Sequence, residues 1–397
     1  MKNLSHRIFA AFMLVGTLLF YLFTSTDFIA QDLQVYRQAG VSLLSGRNPY
    51  ELPTLNDYAS LRGAGFYDDR ELQIWTPPFS LFVPLLLGLL SPPASKILWL
   101  LAYLAATTVG LFCYQGWRIS RQAYYVSLIL ALVFMPLVLH GMVWGSVAPF
   151  ECLPFFISVA VLRTDLKRAS YIILGSCLFL MGFKPQLVVA PLIVYALHAI
   201  TERAHARCAV IGASLTGIAL CVTLYLRPTI FSDFLLTDRT LFLEHAKSAV
   251  PLPAILGAQP WVSLLSYITI LSVAGVLLLI LHQLTKHHTL GRRLVESSPL
   301  TFIAIPYCWL HDFLILVPWA QLVLSQGLSE RSLVRRLLLV SGCGMWICGA
   351  WLLAKDLYLG HIIARYPFNL AIIAWVALRL LQLRGGREPT SVSSPHS

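Results

Sequence analysis

The chain has 397 residues, 57% of them hydrophobic and only 12% charged, with a mean hydropathy of +0.73. A soluble domain carries about 25% charged residues, so this balance excludes a water-soluble globular enzyme and predicts an all-α polytopic membrane protein. The formal charge of +11 does not indicate nucleic acid, because the Lys and Arg residues sit in short loops between apolar runs rather than in one patch.

Lys2 and Arg7 precede an apolar run at 8–24 that has no small-residue cleavage site and reads as a retained first span with the N-terminus inside. Residues 25–75 hold seven acids and four bases, a balance that faces outward. The next apolar run, 79–90, lies between Pro77-Pro78 and Pro92-Pro93. As a helix it would rise about 18 Å, short of the roughly 30 Å hydrocarbon layer, so it reads as re-entrant or interfacial. The first outer loop then covers 25–95, and the later basic loops fall inside. Further spans are predicted at 96–114, 123–140, 146–163, 170–182, 186–200, 208–227 and 261–283, with a second outer loop at 228–260. An inner loop carries Lys286-His287-His288 and Arg292-Arg293. An out-and-back hairpin at 299–325 has Trp309-Leu310-His311-Asp312 at its tip, and the last spans are 335–353 and 364–382. This gives about twelve transmembrane helices in one membrane domain, 1–383, followed by a disordered cytoplasmic tail, 384–397. Eight cysteines lie in or beside apolar runs without a CxxC pair and read as small buried hydrophobes.

This parity places Asp32, the turn at 140–145, Lys184 and the pair His311-Asp312 on the outer side. Asp32 has two readings: the N-cap of a helix at about 33–45, whose apolar spacing is Tyr36, Ala39/Gly40, Leu43/Leu44, or a general base at the membrane edge. Asp27 fits either part. Lys184, in Gly182-Phe183-Lys184-Pro185-Gln186, is either a lysine reaching the headgroups or a phosphate ligand. Ionisable residues at membrane depth are functional candidates by default. His311 is thus a candidate for binding a phosphate oxygen or steering Asp32, and Asp312 for orienting His311. Arg239, Glu244, His245 and Lys247 read as solvated loop charge. Arg365 is an interfacial anchor or a contact for a lipid phosphate. No Walker A, GxGxxG, HExxH or GxSxG sequence occurs, and Asp68-Asp69 lacks a DxD spacing. Neither a cofactor nor a metal is therefore expected.

The stretch Asp32-Leu33-x-Val35-Tyr36-x-x-Ala39-Gly40 through Leu44-x-Gly46-x-Asn48-Pro49-Tyr50 resembles the first outer loop of glycosyltransferase family 87. Trp75-Thr76-Pro77-Pro78-Phe79 is similar to that family's Tyr-Pro-Pro block, and Phe183-Lys184-Pro185-Gln186 with Pro191 to its lysine–proline block. The resemblance implies a superfamily C glycosyltransferase fold and a polyprenyl-phosphate sugar donor, often mannose. It also implies that Asp32 matches the family's catalytic base. One departure stands: Gly145-Ser146-Val147-Ala148 occupies the place where the family often has Gly-Gln and a following Asn. The expected activity is inverting transfer of a sugar, mannose in first place, to a glycan or glycolipid acceptor, with membrane lipids as the other partners. The expected location is the inner membrane, with the site on the periplasmic face. The alternative from another class is a transporter or flippase for a lipid-linked or anionic solute, although no repeated halves are visible.

Overall fold

The structure, a computed structural model, describes residues 31–51, 74, 76–113, 137–138, 141–142, 145–163, 168–237, 251–260, 262–306, 308, 310–329 and 359–384. The predicted spans 8–24 and 335–353, most of 123–140, Asp27, the charged part of the second outer loop and the tail lie outside them. Every secondary-structure element among the described residues is helical.

Helix α1, Gln31–Leu44, buries Leu33, Leu43 and most of the face between them. It stops at Gly46, whose φ of 69° is left-handed. There Gly46 N–H donates to Leu43 O (3.0 Å) and Arg47 N–H to Ser42 O (2.8 Å). That pair of bonds is the glycine-terminated helix end. Asp32 lies inside the first turn of α1 rather than ahead of it, so the predicted N-cap position is corrected.

A 3-10 turn at Pro78–Ser80 leads into α2, Phe82–Gly88. Seven helical residues rise about 10 Å, too little to cross a bilayer. Helices α1 and α2 touch through glycines: a methyl on Gly40 would run into Pro84 O, and one on Gly88 would lie 2.5 Å from Gly40 C. Arg37 Nε donates to Leu90 O (3.1 Å) just past α2, satisfying a carbonyl that the helix itself leaves open.

Helix α3, Pro92–Cys113, begins four residues before the predicted span because its prolines occupy the first turn, where no amide hydrogen is needed. It packs on α4, Pro149–Val161. That helix starts later than predicted because Gly145 (φ 69°) and Ser146 form a tight turn first. Ser146 N–H donates to Gly141 O (2.8 Å), and Trp99 Nε1 donates to Ser146 O (2.8 Å). Next come α5, Arg168–Leu180; α6, Val189–Thr201; and α7, Arg203–Leu226. The stretch predicted as the second outer loop contains short helices α8, Ile230–Leu236, and α9, Leu252–Ile255.

Helix α10, Leu264–Leu284, returns to the opposite end of the bundle and packs on α11, Leu290–Ala304, which also lies against α6. Helix α11 corrects the sequence reading, because Arg292 and Arg293 are in its first turn and not in a loop. The helix can enter the core this early because Glu296, fully buried, is met by Arg292 Nε at 3.1 Å and His288 Nδ1 at 3.0 Å. A 3-10 segment, Leu310–Leu316, and α12, Val317–Ser329, follow, and α13, Leu359–Arg384, closes the described chain.

Among the described residues, three helices are long and apolar enough to cross a membrane: Pro92–Leu111, Arg203–Leu226 and Leu264–Leu284. The last two expose Val210, Ile218, Tyr225, Leu265, Val273 and Val276, apolar surface suited to lipid and not to water. Of the described cysteines, Cys113, Cys152, Cys177, Cys208 and Cys308 are buried, but Cys221 faces outward from α7, against the expectation for it.

Candidate functional site

Between α5 and α6 the chain is broken by Gly182 and by Pro185, which opens a 3-10 turn at Pro185–Leu187. Phe183 is buried at 0% exposure, tilted edge-on to Tyr36 (5.5 Å) and Phe82 (6.3 Å), and this anchors the turn against α1 and α2. The next residue, Lys184, leaves helical geometry (φ −125°, ψ 68°) ahead of the Pro185–Leu187 turn. Its amide N–H donates to Glu151 Oε2 at 3.1 Å. Its ammonium reaches across the bundle to Asp312 Oδ1 at 3.5 Å. His311 Nε2 lies 3.7 Å from the same oxygen. Residues 128 positions apart thus form one ion pair, and the pair is nearly dry, with side chains 12% and 3% exposed.

Helix α1 contributes the other side. The Tyr36 phenol is within electrostatic range of Lys184, Asp32 and Asp312, and burial pushes it above its usual pKa while the lysine pulls it down. Tyr103 on α3 is within range of Asp32 and Asp312 as well. Gly141 lets Tyr103 and His311 meet: a methyl there would collide with the Tyr103 hydroxyl and press on His311 Cβ at 3.1 Å. Four of the residues singled out in the sequence, Asp32, Lys184, His311 and Asp312, therefore share one neighbourhood. Asp27 lies outside the described residues, and Arg365 falls within the backbone of α13.

Sequence reasoning missed Glu151, at 0% exposure in the first turn of α4 and within electrostatic range of both Lys184 and Asp312. The signal was present: an acid inside a predicted span is a functional candidate by default. Tyr36 was part of the quoted motif and Tyr103 part of a span, but neither had been given a role.

Two properties follow. The cluster holds three carboxylates, Asp32, Glu151 and Asp312, against one lysine and one histidine. In addition, among the described residues Glu151 Oε1 is buried without a hydrogen-bond partner. Such a group costs about 1–3 kcal/mol, and its place within range of Lys184 and Asp312 suits a polar ligand that completes it. Among the described residues no grouping of His, Cys, Asp and Glu is arranged to hold a metal ion. No protein-family model matches the chain, and no curated protein or solved structure matches it.

Proposed function

We propose that the chain is an integral-membrane glycosyltransferase that moves a sugar, mannose in first place, from a polyprenyl phosphate to a glycan or glycolipid acceptor. In this reading the fold is of superfamily C with about twelve crossings. It sits in the inner membrane with the Asp32 end facing the periplasm. The observation that carries the proposal is the shared neighbourhood of Asp32 with Lys184, His311 and Asp312, supported by the unsatisfied Glu151 oxygen beside it.

The chemistry is a single displacement. The acceptor hydroxyl gives its proton to Asp32 while its oxygen forms a bond to the anomeric carbon. The bond from that carbon to the phosphate oxygen breaks, and the lipid phosphate leaves with the electron pair, inverting the centre. Lys184 and His311 are the groups that stabilise the growing charge in a dry site. Because Lys184 is paired with Asp312 at 3.5 Å, the arriving phosphate has to compete for the ammonium. His311, 3.7 Å from the same carboxylate, is the neighbour that can take over Asp312.

The three-to-one excess of carboxylate over lysine favours a second reading. A site of that composition suits movement of a proton or cation coupled to a solute, as in a transporter. One assay separates the two. Wild type and Asp32→Asn are reconstituted in proteoliposomes with labelled polyprenyl-phosphate mannose and a lipid acceptor. The transferase reading expects transfer to fall about 10²–10⁴-fold in the variant with folding intact. Undiminished transfer, or label that crosses the bilayer without transfer, overturns it, and the crossing supports the transporter.

A further inference from the structure

At the other end of the bundle, a second polar group stands apart from the Asp32 cluster. Helices α6 and α11 run antiparallel: Ala190 N–H donates to Thr301 Oγ1 at 3.3 Å near the Lys184 end. Eight residues further along α6 and eight back along α11, His198 comes within electrostatic range of Arg293. Eight helical residues span about 12 Å, so the two polar groups are held at opposite ends of one helix pair.

Four helix ends meet there, and each brings a basic side chain into the group. His198 ends α6, His205 opens α7, His282 ends α10 and Arg293 opens α11. The His198 and His205 rings are 4.6 Å apart. Arg293 Nη2 lies 2.9 Å from His282 Nδ1. Lys286 is within electrostatic range of His282, and Glu202, an exposed residue, within range of His198 and His205. Two of the helices begin here and two end here, so their dipoles largely cancel and the side chains set the charge.

The two neighbouring arginines of α11 differ. Arg292 has the Glu296 carboxylate at 3.1 Å. Arg293 is 6% exposed, its Nε is buried without a partner, and among the described residues no carboxylate pairs with it. His205 Nδ1 is likewise buried and unpartnered. A buried guanidinium whose partners among the described residues are imidazoles is a costly arrangement unless an anion completes it.

We infer that these four helix ends form a second binding site, for a phosphoryl anion, separate from the Asp32 cluster and independent of the transfer reaction proposed above. The planar guanidinium and the imidazole nitrogens offer several donors to tetrahedral oxygens, the geometry in which arginine outperforms lysine. The anion is a lipid headgroup or free phosphate. The exposed apolar surface on α6, such as Ile200 at 81%, puts lipid within reach of the same level.

The test uses the full chain in dodecyl maltoside, which contains no phosphorus, with thermal unfolding as the readout. One arm titrates inorganic phosphate against chloride at equal ionic strength. The other adds phosphatidylglycerol, with a fatty acid as the anionic control. The expected result is an upward shift of roughly 3 °C from at least one phosphoryl source and not from its control. The arm that responds identifies the source. Arg293→Met is expected to lose the shift while being no less stable than wild type without phosphate, since it removes an uncompensated buried charge. If Arg293→Met does not fold, His205→Ala and His282→Gln, nearer the rim, decide the same question. No shift from either source, or a shift that survives in every variant that folds, overturns the inference.

Discussion

Removing Lys184 tests how the central cluster is held together. Its ammonium is 3.5 Å from Asp312 Oδ1, with side chains 12% and 3% exposed. At an effective dielectric of about 20, two unit charges at that distance attract by about 5 kcal/mol. Desolvation offsets much of this, but removing one partner strands the other, at a cost of about 3–5 kcal/mol. The two single variants should therefore differ. Lys184→Met leaves Asp312 within range of the buried Glu151 carboxylate and should lose about 3–5 kcal/mol. Asp312→Asn leaves Lys184 with Glu151 as a substitute partner and should lose only about 1 kcal/mol. The double variant should recover about 2 kcal/mol relative to the sum of the singles. Chaotrope unfolding of the four proteins in detergent measures the cycle. Single losses that add within about 0.5 kcal/mol would show that the two side chains do not share their charge, and the description of the site would be wrong.

Other consequences are smaller but as direct. Gly40→Ala puts a methyl against the Pro84 carbonyl and should destabilise by about 1–3 kcal/mol, whereas Gly217→Ala, open on α7, should be neutral or slightly stabilising; thermal unfolding compares the pair. Gly141→Ala drives apart the Tyr103 hydroxyl and His311, and transfer in proteoliposomes should drop about tenfold or more. Glu151→Gln keeps an acceptor for the Lys184 amide and should stay within about 1 kcal/mol of wild type, while Glu151→Leu leaves that amide unpaired and should lose about 1–3 kcal/mol in the same unfolding assay.

Hydropathy alone located the long helices. Apolar runs without charge have one low-energy choice beside lipid, and α3, α7 and α10 match the predicted spans to within a few residues. The shortness of the helix at 82–88 was legible from the flanking prolines and the length of the apolar run. The early start of α11 was not. Charge density around Arg292 and Arg293 reads as loop, and only the long-range fit of Glu296 into the core, with its two basic neighbours, makes a helix there affordable in free energy. The same limit hid Glu151. An acid in a first turn suits any helix start, and nothing local announces that its partner is the backbone of Lys184, 33 residues on. Asp32, Lys184 and His311 were found individually because ionisable groups beside apolar runs stand out. Their convergence is a property of helix packing that no single stretch of sequence contains.

The 13-residue length of α5 and α6 has a consequence for the host bilayer. Such helices rise about 20 Å, against an oily layer nearer 30 Å. Ile172 and Ile173 on α5 point outward, so acyl chains at that flank meet a wall shorter than themselves. The surrounding annulus must pinch, drawing headgroups inward. At fractions of a kcal/mol for each ångström of mismatch, acyl length becomes a setting of the protein's environment.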